Sequence, residues 1–432
     1  MPPNVQLQRR REATPSRVSP GRAMSRPELA EAVNDYLWRK YGQRRELDSH
    51  TIARYERGAV RWPNQYYREA FRAILTATDT ELGFVPSRRR HTPDRCSDST
   101  LAVNIFSPFD PTVVPGDYLE LDGAQDKPVI RVGWTEVEQV QRATRAAASQ
   151  ENLHGGGPAN VSAGKQLARF VPYLDAHAAP TARRALLEAV GNLSGVAGYA
   201  AFDIGDYPLA ERRFRLALWC ADNAGSWELR ASTLADMARK TAYVGNPDGA
   251  LSLIELAQVR ADRLSATACA MLCALRAQYL AALGRTDDAL AEVARADAHF
   301  ADRRPAEAPW LCFYDEAEHL GSTGKALMPV ARIRRRLDVA ASRIRRAVVL
   351  QGAAYPRSRT FSLTRLATLT MQLGDPGEAA GIGLRAVQQA SSLHSERIHN
   401  ELRTLAVAAA PRRRLPEVAE LRNRIADTVA AR

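Results

Sequence analysis

The chain is 432 residues long, 45% hydrophobic and 25% charged, which allows more than one core and excludes a wholly disordered polymer. No run approaches the roughly 18–20 apolar residues that cross a bilayer, and no apolar stretch follows the basic residues of the first fifteen. A soluble, cytoplasmic protein without a membrane partner is therefore expected. Five cysteines (Cys96, Cys220, Cys269, Cys273 and Cys312) are odd in number and too sparse for a disulfide framework. Cys269 and Cys273 have no histidine pair at metal-ligand spacing, so they read as small core side chains, and no metal or cofactor is expected. The net charge of +12 is uneven: residues 1–95 hold 19 Lys and Arg against 11 Asp and Glu, and the remainder 41 against 37. A basic N-terminal segment on a near-neutral body points to a polyanionic partner at that end.

In chain order, Ser25 caps a predicted helix with Pro27 in its first turn, and Leu29, Val33, Tyr36 and Leu37 fall on one apolar face. Asp48 caps a second helix, Ser49 to Arg57, ended by Gly58, with Ile52 and Tyr55 facing inward. The stretches Ser25-Arg26-Pro27-Glu28-Leu29-Ala30 and Thr51-Ile52-Ala53-Arg54-Tyr55-Glu56-Arg57-Gly58 resemble the Cro/repressor-like (XRE) helix-turn-helix family. Val5 to Glu12 resembles its opening helix, Arg61-Trp62-Pro63 with the helix Asn64 to Leu75 its next element, and Asp79 to Phe84 its last. The resemblance implies a five-helix domain over residues 1–84 that binds double-stranded DNA, with the N-terminal half of the second helix in the major groove. Ser49, His50 and Arg54 then stand where base edges are read, and Arg54 paired with a guanine is worth about 1–3 kcal/mol of discrimination. Arg26 falls at the phosphate-gripping helix start, with Arg57 and Arg61 as further phosphate contacts. One departure stands out: Ala30 to Ile52 is 22 residues, where the compact motif has about ten. Trp38 to Arg45 is extra and reads as a lengthened helix plus a basic loop; either Arg44 and Arg45 add phosphate contacts or the insertion blocks standard docking.

Residues 85–130 are rich in Pro, Asp and Ser without a sustained period and read as a linker. Over 131–184 a bridging hairpin is expected: Thr135-x-x-Glu138 is a capping box opening a helix to about Gln150, and a Gly155-Gly156-Gly157 loop leads to a helix near Ser162. Gly164-Lys165 after that glycine cluster is not a phosphate loop, since Ala159 and Gln166 stand where glycine and Ser or Thr are needed.

Residues 185–432 carry an internal repeat. Turn glycines recur at Gly205, Gly245, Gly284, Gly324 and Gly374, spaced 40, 39, 40 and 50 residues apart. Around four of them alanine follows at five (Ala210, Ala250, Ala289, Ala379) and at twelve (Ala217, Ala257, Ala296, Ala386), and a small residue precedes all five by seven. Helices approach closely only where side chains are small, and glycine supplies the left-handed cap between them. The unit at Gly324 fits poorly: Pro329 replaces its first alanine and about ten extra residues follow, so a bent or augmented hairpin is expected there. This register resembles the tetratricopeptide repeat, and the fold class is all-α, a helix-turn-helix domain followed by a tetratricopeptide-like solenoid. On that register the residues six and thirteen before each glycine line the concave face. Asn192, Tyr199, Arg239, Tyr314 and Glu318 are the candidate lining for a peptide, protein or small-molecule effector.

The whole layout resembles a group of actinobacterial transcription regulators. What that implies is a nucleoid-associated homodimer that reads DNA with its N-terminal motif and senses an effector or dimerises through its solenoid. The alternative reading is a scaffold whose basic N-terminus docks an acidic protein or membrane surface. An enzyme is not expected: no Ser/His/Asp or metal spacing appears, and His91, His154 and His177 lack evident partners in sequence.

Overall fold

A computed structural model describes residues 4–84 and 130–430, apart from 17, 20, 42–46, 59, 61, 62, 64 and 305–307. The segment expected to be a linker lies outside the described residues except for Ile130. Every regular element among the described residues is a helix, and the only β-type pairings among them are two isolated bridges, Pro15 with Ala23 and Arg131 with His177. The chain divides into two compact units, Met1–Leu101 and Ala102–Arg432.

The first unit contains α1 (Val5–Ala13), α2 (Arg26–Tyr41), α3 (Ser49–Glu56) and α4 (Gln65–Leu75). Local chemistry sets their ends. Ser25 Oγ accepts from Glu28 N while Glu28 Oε2 accepts from Ser25 N, both at 3.3 Å, a reciprocal cap at the start of α2. Asp48 Oδ1 accepts from Thr51 N at 2.7 Å at the start of α3, and Gly58 leaves that helix with φ +70°. The core gathers Leu7, Leu29, Val33, Leu37, Ile52, Phe71 and Leu82. The five-helix expectation needs one correction. Asp79 to Phe84 is a set of turns, held by Leu82 N to Thr78 O at 3.0 Å and Phe84 N to Asp79 O at 2.8 Å, so four helices are present among the described residues of this unit. Six residues ending in a glycine of positive φ, Gly83, are too short to repay helix nucleation.

The second unit opens with α5 (Trp134–His154) and α6 (Gly156–Phe170). Here too the sequence reading shifts. The cap of α5 is Glu136, whose Oε2 accepts from Gly133 N at 2.7 Å, so Thr135 and Glu138 lie inside the helix. The glycine triplet is no loop: Gly155 alone turns the chain, at φ +83°, and α6 starts on the next residue.

Six helical hairpins follow: α7 (Pro180–Asp203) with α8 (Tyr207–Ala224), α9 (Trp227–Tyr243) with α10 (Pro247–Ala257), α11 (Ala266–Ala282) with α12 (Thr286–Ala301), α13 (Glu316–Arg334) with α14 (Asp338–Gln351), α15 (Pro356–Leu373) with α16 (Pro376–Ala390), and α17 (Glu396–Ala409) with α18 (Pro416–Ala430). The second helices of three hairpins begin with a side-chain cap and a proline in the first turn: Asp206, Asn246 and Asp375 accept from the amides of Leu209, Gly249 and Glu378. All eight alanines of the repeat register are buried where paired helices meet.

The fourth hairpin overturns one register position. Gly324 lies in the middle of α13, where a Cβ would come within 2.6 Å of Ile344 Cγ1, and so serves helix approach, not a turn. The turn is made by Arg335 in the left-handed region at φ 52°. Taken from Arg335, alanine stands five and twelve residues on, at Ala340 and Ala347, both fully buried. The register therefore holds through this hairpin with an arginine in the glycine's place, and the extra residues fall before α13, between Asp302 and Asp315. Pro329 sits inside α13.

The inner helices α7, α9, α11, α13, α15 and α17 come round on themselves. Asp203 at the end of α7 is fully buried and accepts from Gly156 N of α6 at 2.9 Å, from Arg357 of α15, and lies 3.7 Å from Arg397 Nη1 of α17. Arg357 also meets Glu151 of α5 at 3.3 Å. His394 N donates to His154 O at 2.8 Å, Gly157 N to His394 O at 3.2 Å, and Asn400 of α17 to the Tyr243 hydroxyl of α9. The glycines explain the close fit: a Cβ on Gly155 would lie 2.6 Å from His394 O, and one on Gly156 2.6 Å from Ala200 O. Helices early and late in this unit thus seal against one another.

Burial alone raises the Asp203 carboxyl, but Arg357 and then Arg397 outweigh it and hold it below its ordinary value. Its stabilisation is present above the unfolded value of about 3.9 and is lost as pH falls through the lower folded value. Asp203→Asn takes the counter-charge from buried Arg397 and leaves Arg357 only Glu151, and is expected to cost about 3 kcal/mol at pH 7. Urea unfolding of the full chain should show that difference shrinking below about pH 4; a variant as stable as the parent at pH 7 refutes the closure role. Gly156→Ala should separately destabilise by about 1–3 kcal/mol in the same assay, because its methyl meets backbone.

Candidate functional site

On α3 the sequence separates two faces. Ile52, Ala53 and Tyr55 are buried, with Tyr55 edge-on to Phe71 at 5.8 Å between ring centroids. Ser49, His50 and Arg54 are exposed on the opposite side, His50 and Arg54 one turn apart, and Arg57 is exposed at the end of the helix. The side chains of Arg54 and Arg57 make no hydrogen bond or ion pair among the described residues.

Arg26 is exposed but engaged: its Nε donates to Glu56 Oε2 at 2.6 Å, while Arg11 Nε donates to Glu56 Oε1 at 2.7 Å. Glu56, buried, therefore ties α1, α2 and α3 together, and Arg11 adds a bond to Met24 O at 2.7 Å. Other arginines are also consumed internally, Arg68 and Arg72 on Asp79 at 2.6 and 3.2 Å. Arg44, Arg45 and Arg61, the remaining phosphate candidates, lie outside the described residues, as do Cys96 and His91. Sequence reasoning counted the arginines of this segment as a partner surface; charge composition has no way of telling which of them fold back on a carboxylate.

The inner helices of the hairpins enclose a second candidate, a cavity of about 390 Å³. Tyr199, Arg239 and Glu318 of the expected lining meet there, with Gln278 and Phe361 of the same register. Two expected residues do not. Tyr314 is buried in the core, its hydroxyl on His319 Nδ1 at 3.2 Å and Ala270 O at 3.4 Å, because it precedes α13 in the extra segment and so falls off the register. Asn192, two turns before Tyr199 on α7, is half-buried and stands outside the cavity.

The sequence reading missed the cations of that cavity: Lys325, Arg332, Arg357, Arg365 and Arg397. Arg357 and Arg397 lie among aromatic faces, Arg397 at 4.3 Å from the Phe202 centroid and 5.1 Å from that of Tyr199, and Arg357 at 5.2 Å from that of Phe361. The available signal was Arg357 and Arg397 at the first turns of two inner helices, which repeat spacing alone did not single out.

A third cluster was also missed. His319 Nε2 faces Asp297 Oδ1 at 2.8 Å, Arg343 Nη1 donates to the same oxygen at 2.9 Å, and the Phe300 ring stacks on His319 at 4.2 Å. Burial raises the Asp297 carboxyl, but bonds from His319 and Arg343 pull it well below its ordinary range. With Tyr314 on the other ring nitrogen, His319 is held on both sides and joins α12, α13 and α14. The arrangement fixes the irregular fourth hairpin. Among the described residues no group of His, Cys, Asp and Glu is placed to hold a metal ion, and no helix is long and apolar enough to cross a membrane.

Glu56→Ala strands Arg11 in the core of the first unit and is expected to cost about 3 kcal/mol. Hydrogen exchange of the full chain should show protection lost across α1, α2 and α3 and retained in α7 to α16; unchanged exchange in α1 would count against the Glu56 hub.

No protein-family model, no curated protein and no solved structure matches this chain.

Proposed function

We propose that the chain is a sequence-specific DNA-binding transcription regulator of the Cro/repressor-like helix-turn-helix type, with a tetratricopeptide-like solenoid as its sensing or assembly body. In this reading it acts in the cytoplasm on the nucleoid, as a homodimer whose two recognition helices enter the major groove about one helical turn, roughly 34 Å, apart. The observation that carries it is Arg54: an exposed arginine whose side chain has no partner among the described residues, next to exposed Ser49 and His50, on a helix whose other face is locked in a core. An unpartnered guanidinium is free to make the bidentate bond to guanine O6 and N7 that discriminates bases. The uneven charge of the chain supports a polyanionic partner. Arg57 serves as a phosphate contact, whereas Arg26 shares its guanidinium with Glu56 and contributes only through its outer nitrogens. The sensing role rests on the closed ring of inner helices and its charged cavity. A ligand that favours one packing of that ring shifts the population of the DNA-binding form.

A mobility-shift assay on genomic fragments across a salt series tests the reading. Arg54→Ala should weaken the preferred fragment by about 1–3 kcal/mol, roughly 5- to 150-fold, and random DNA far less. Arg57→Ala should weaken both alike and flatten the salt slope by about one unit. Equal loss on preferred and random DNA for Arg54→Ala removes base reading by that residue and leaves the rival, a scaffold whose basic N-terminus docks acidic surfaces.

A further inference from the structure

We propose that the cavity inside the ring of inner helices is a binding site for a small organic anion, a carboxylate or phosphate ester on an apolar or aromatic body, held by Lys325 and Arg397. The proposal names the effector class for the sensing body and rests on that part of the reading alone.

Charge is the first ground. Six cationic side chains line the cavity against two carboxylates, Glu318 and Glu401. Three are already matched: Arg239 by Asp236 at 2.7 Å, Arg365 by Glu401 at 3.1 Å, Arg357 by Asp203 and Glu151. Arg332 bonds the neutral Gln372 at 2.7 Å. Lys325 has no hydrogen-bond or ion-pair partner among the described residues. Even with Glu151, Asp203 and Asp236 behind the wall counted, positive charge is in excess.

Unsatisfied polar atoms are the second, independent ground. Arg397 is 8% exposed, and its Nε and Nη1 have no hydrogen-bond partner among the described residues, Nη1 lying 3.7 Å from Asp203 Oδ1; the Tyr279 hydroxyl and Gln351 Oε1, in residues 1% and 3% exposed, are likewise without one among them. All three residues line the same cavity. Arg397 and Tyr279 present donors and Gln351 an acceptor, and a folded chain rarely leaves several such groups buried and unpaired around one space, because each costs about 1–3 kcal/mol. An anion on Lys325 that draws the screened Arg397 and Tyr279 donors into hydrogen bonds removes their share of that cost.

Shape is the third. A volume of about 390 Å³ suits a compact metabolite, and Tyr199, Phe361 and Met328 offer it apolar walls. The surroundings of Lys325 suit its role in holding the anion: burial pushes its amine down to about 7, with Arg365, Arg397 and Arg239 adding to the effect and Glu401 opposing it. An anion beside it restores its charge.

Calorimetry on the full chain without DNA tests this, using phenylphosphate and phenylacetate as anions, 2-phenylethanol as the neutral and phenethylamine as the cationic analogue. At least one anion is expected to bind at least tenfold more tightly than the neutral and cationic analogues. The tighter of the two anions identifies phosphate or carboxylate as the preferred head group. Lys325→Met, which removes a desolvated charge and keeps the volume, should fold at least as stably as the parent and lose about tenfold or more of that affinity. Binding of neither anion below 10 mM, equal binding of the neutral analogue, or unchanged anion affinity in a folded Lys325→Met each overturns the site. A blocked acidic hexapeptide that binds more tightly than either small anion overturns the small-ligand assignment. Since DNA is absent, failure of sequence-specific DNA binding leaves these outcomes unaffected.

Discussion

Taking a carboxylate fully out of water costs several kcal/mol unless charge and hydrogen bonds replace its hydration. Asp203 is such a group. Its replacements are the first amide of α6, the guanidinium of Arg357 and the nearby guanidinium of Arg397. Because these come from helices far apart in sequence, the carboxylate is satisfied only when the helical stack has come round to meet its own beginning. Electrostatics so fixes a closure that the hydrophobic register, a local rule between neighbouring hairpins, does not demand. The glycines at 155 and 156 are the steric side of the same contact, letting the corner between α5 and α6 reach the backbone at His394 and Ala200.

Closure changes the character of the inner surface. In an open array the polar groups on the first helix of each hairpin face water and cost little. Brought into a ring they face each other, and their charges must be balanced inside a low-dielectric space. Tyr199, Phe202, Tyr243 and Phe361 surround Arg397 and Arg357, so their faces compensate part of the charge that carboxylates leave over. The balance is incomplete at Lys325 and at the unbonded nitrogens of Arg397. That remainder is the basis of the anion site proposed for the cavity.

Arginine plays opposite parts in the two units. Around Glu56, Arg11 and Arg26 act as fasteners between α1, α2 and α3, and Arg68 and Arg72 do the same for the turn at Asp79. Arg54 and Arg57 do neither. An abundance of arginine thus serves stability at one position and leaves charge free at the next, and the distinction depends on which carboxylate the fold brings within reach. The irregular fourth hairpin follows similar logic: the extra residues before α13 carry Tyr314 into the core, and the pairing of Asp297 with His319 and Arg343 holds the hairpin in place despite the interruption.

By itself the sequence determined the helices, because their signals are local. Asp48, Asn246 and Asp375 cap the next turn, prolines start helices, and buried alanines recur at a fixed distance from each turn. Its helical period also placed Ile52 and Tyr55 toward a core, and they are buried there, whereas Ser49, His50 and Arg54 were singled out by resemblance and are exposed. It misplaced the fourth turn, because a left-handed arginine carries no signal of its own and Gly324 did. It read Gly155 to Gly157 as a loop and Asp79 to Phe84 as a helix, since only a packed neighbour reveals why a glycine is needed or a short segment stays as turns. The partners of Asp203, Glu56 and Arg397, and with them the ring and its charged cavity, were decided by tertiary structure. Such pairings join residues 154 positions apart, as in Asp203 with Arg357, or further, as in Asp203 with Arg397, and no period or motif relates positions that meet only when the chain closes.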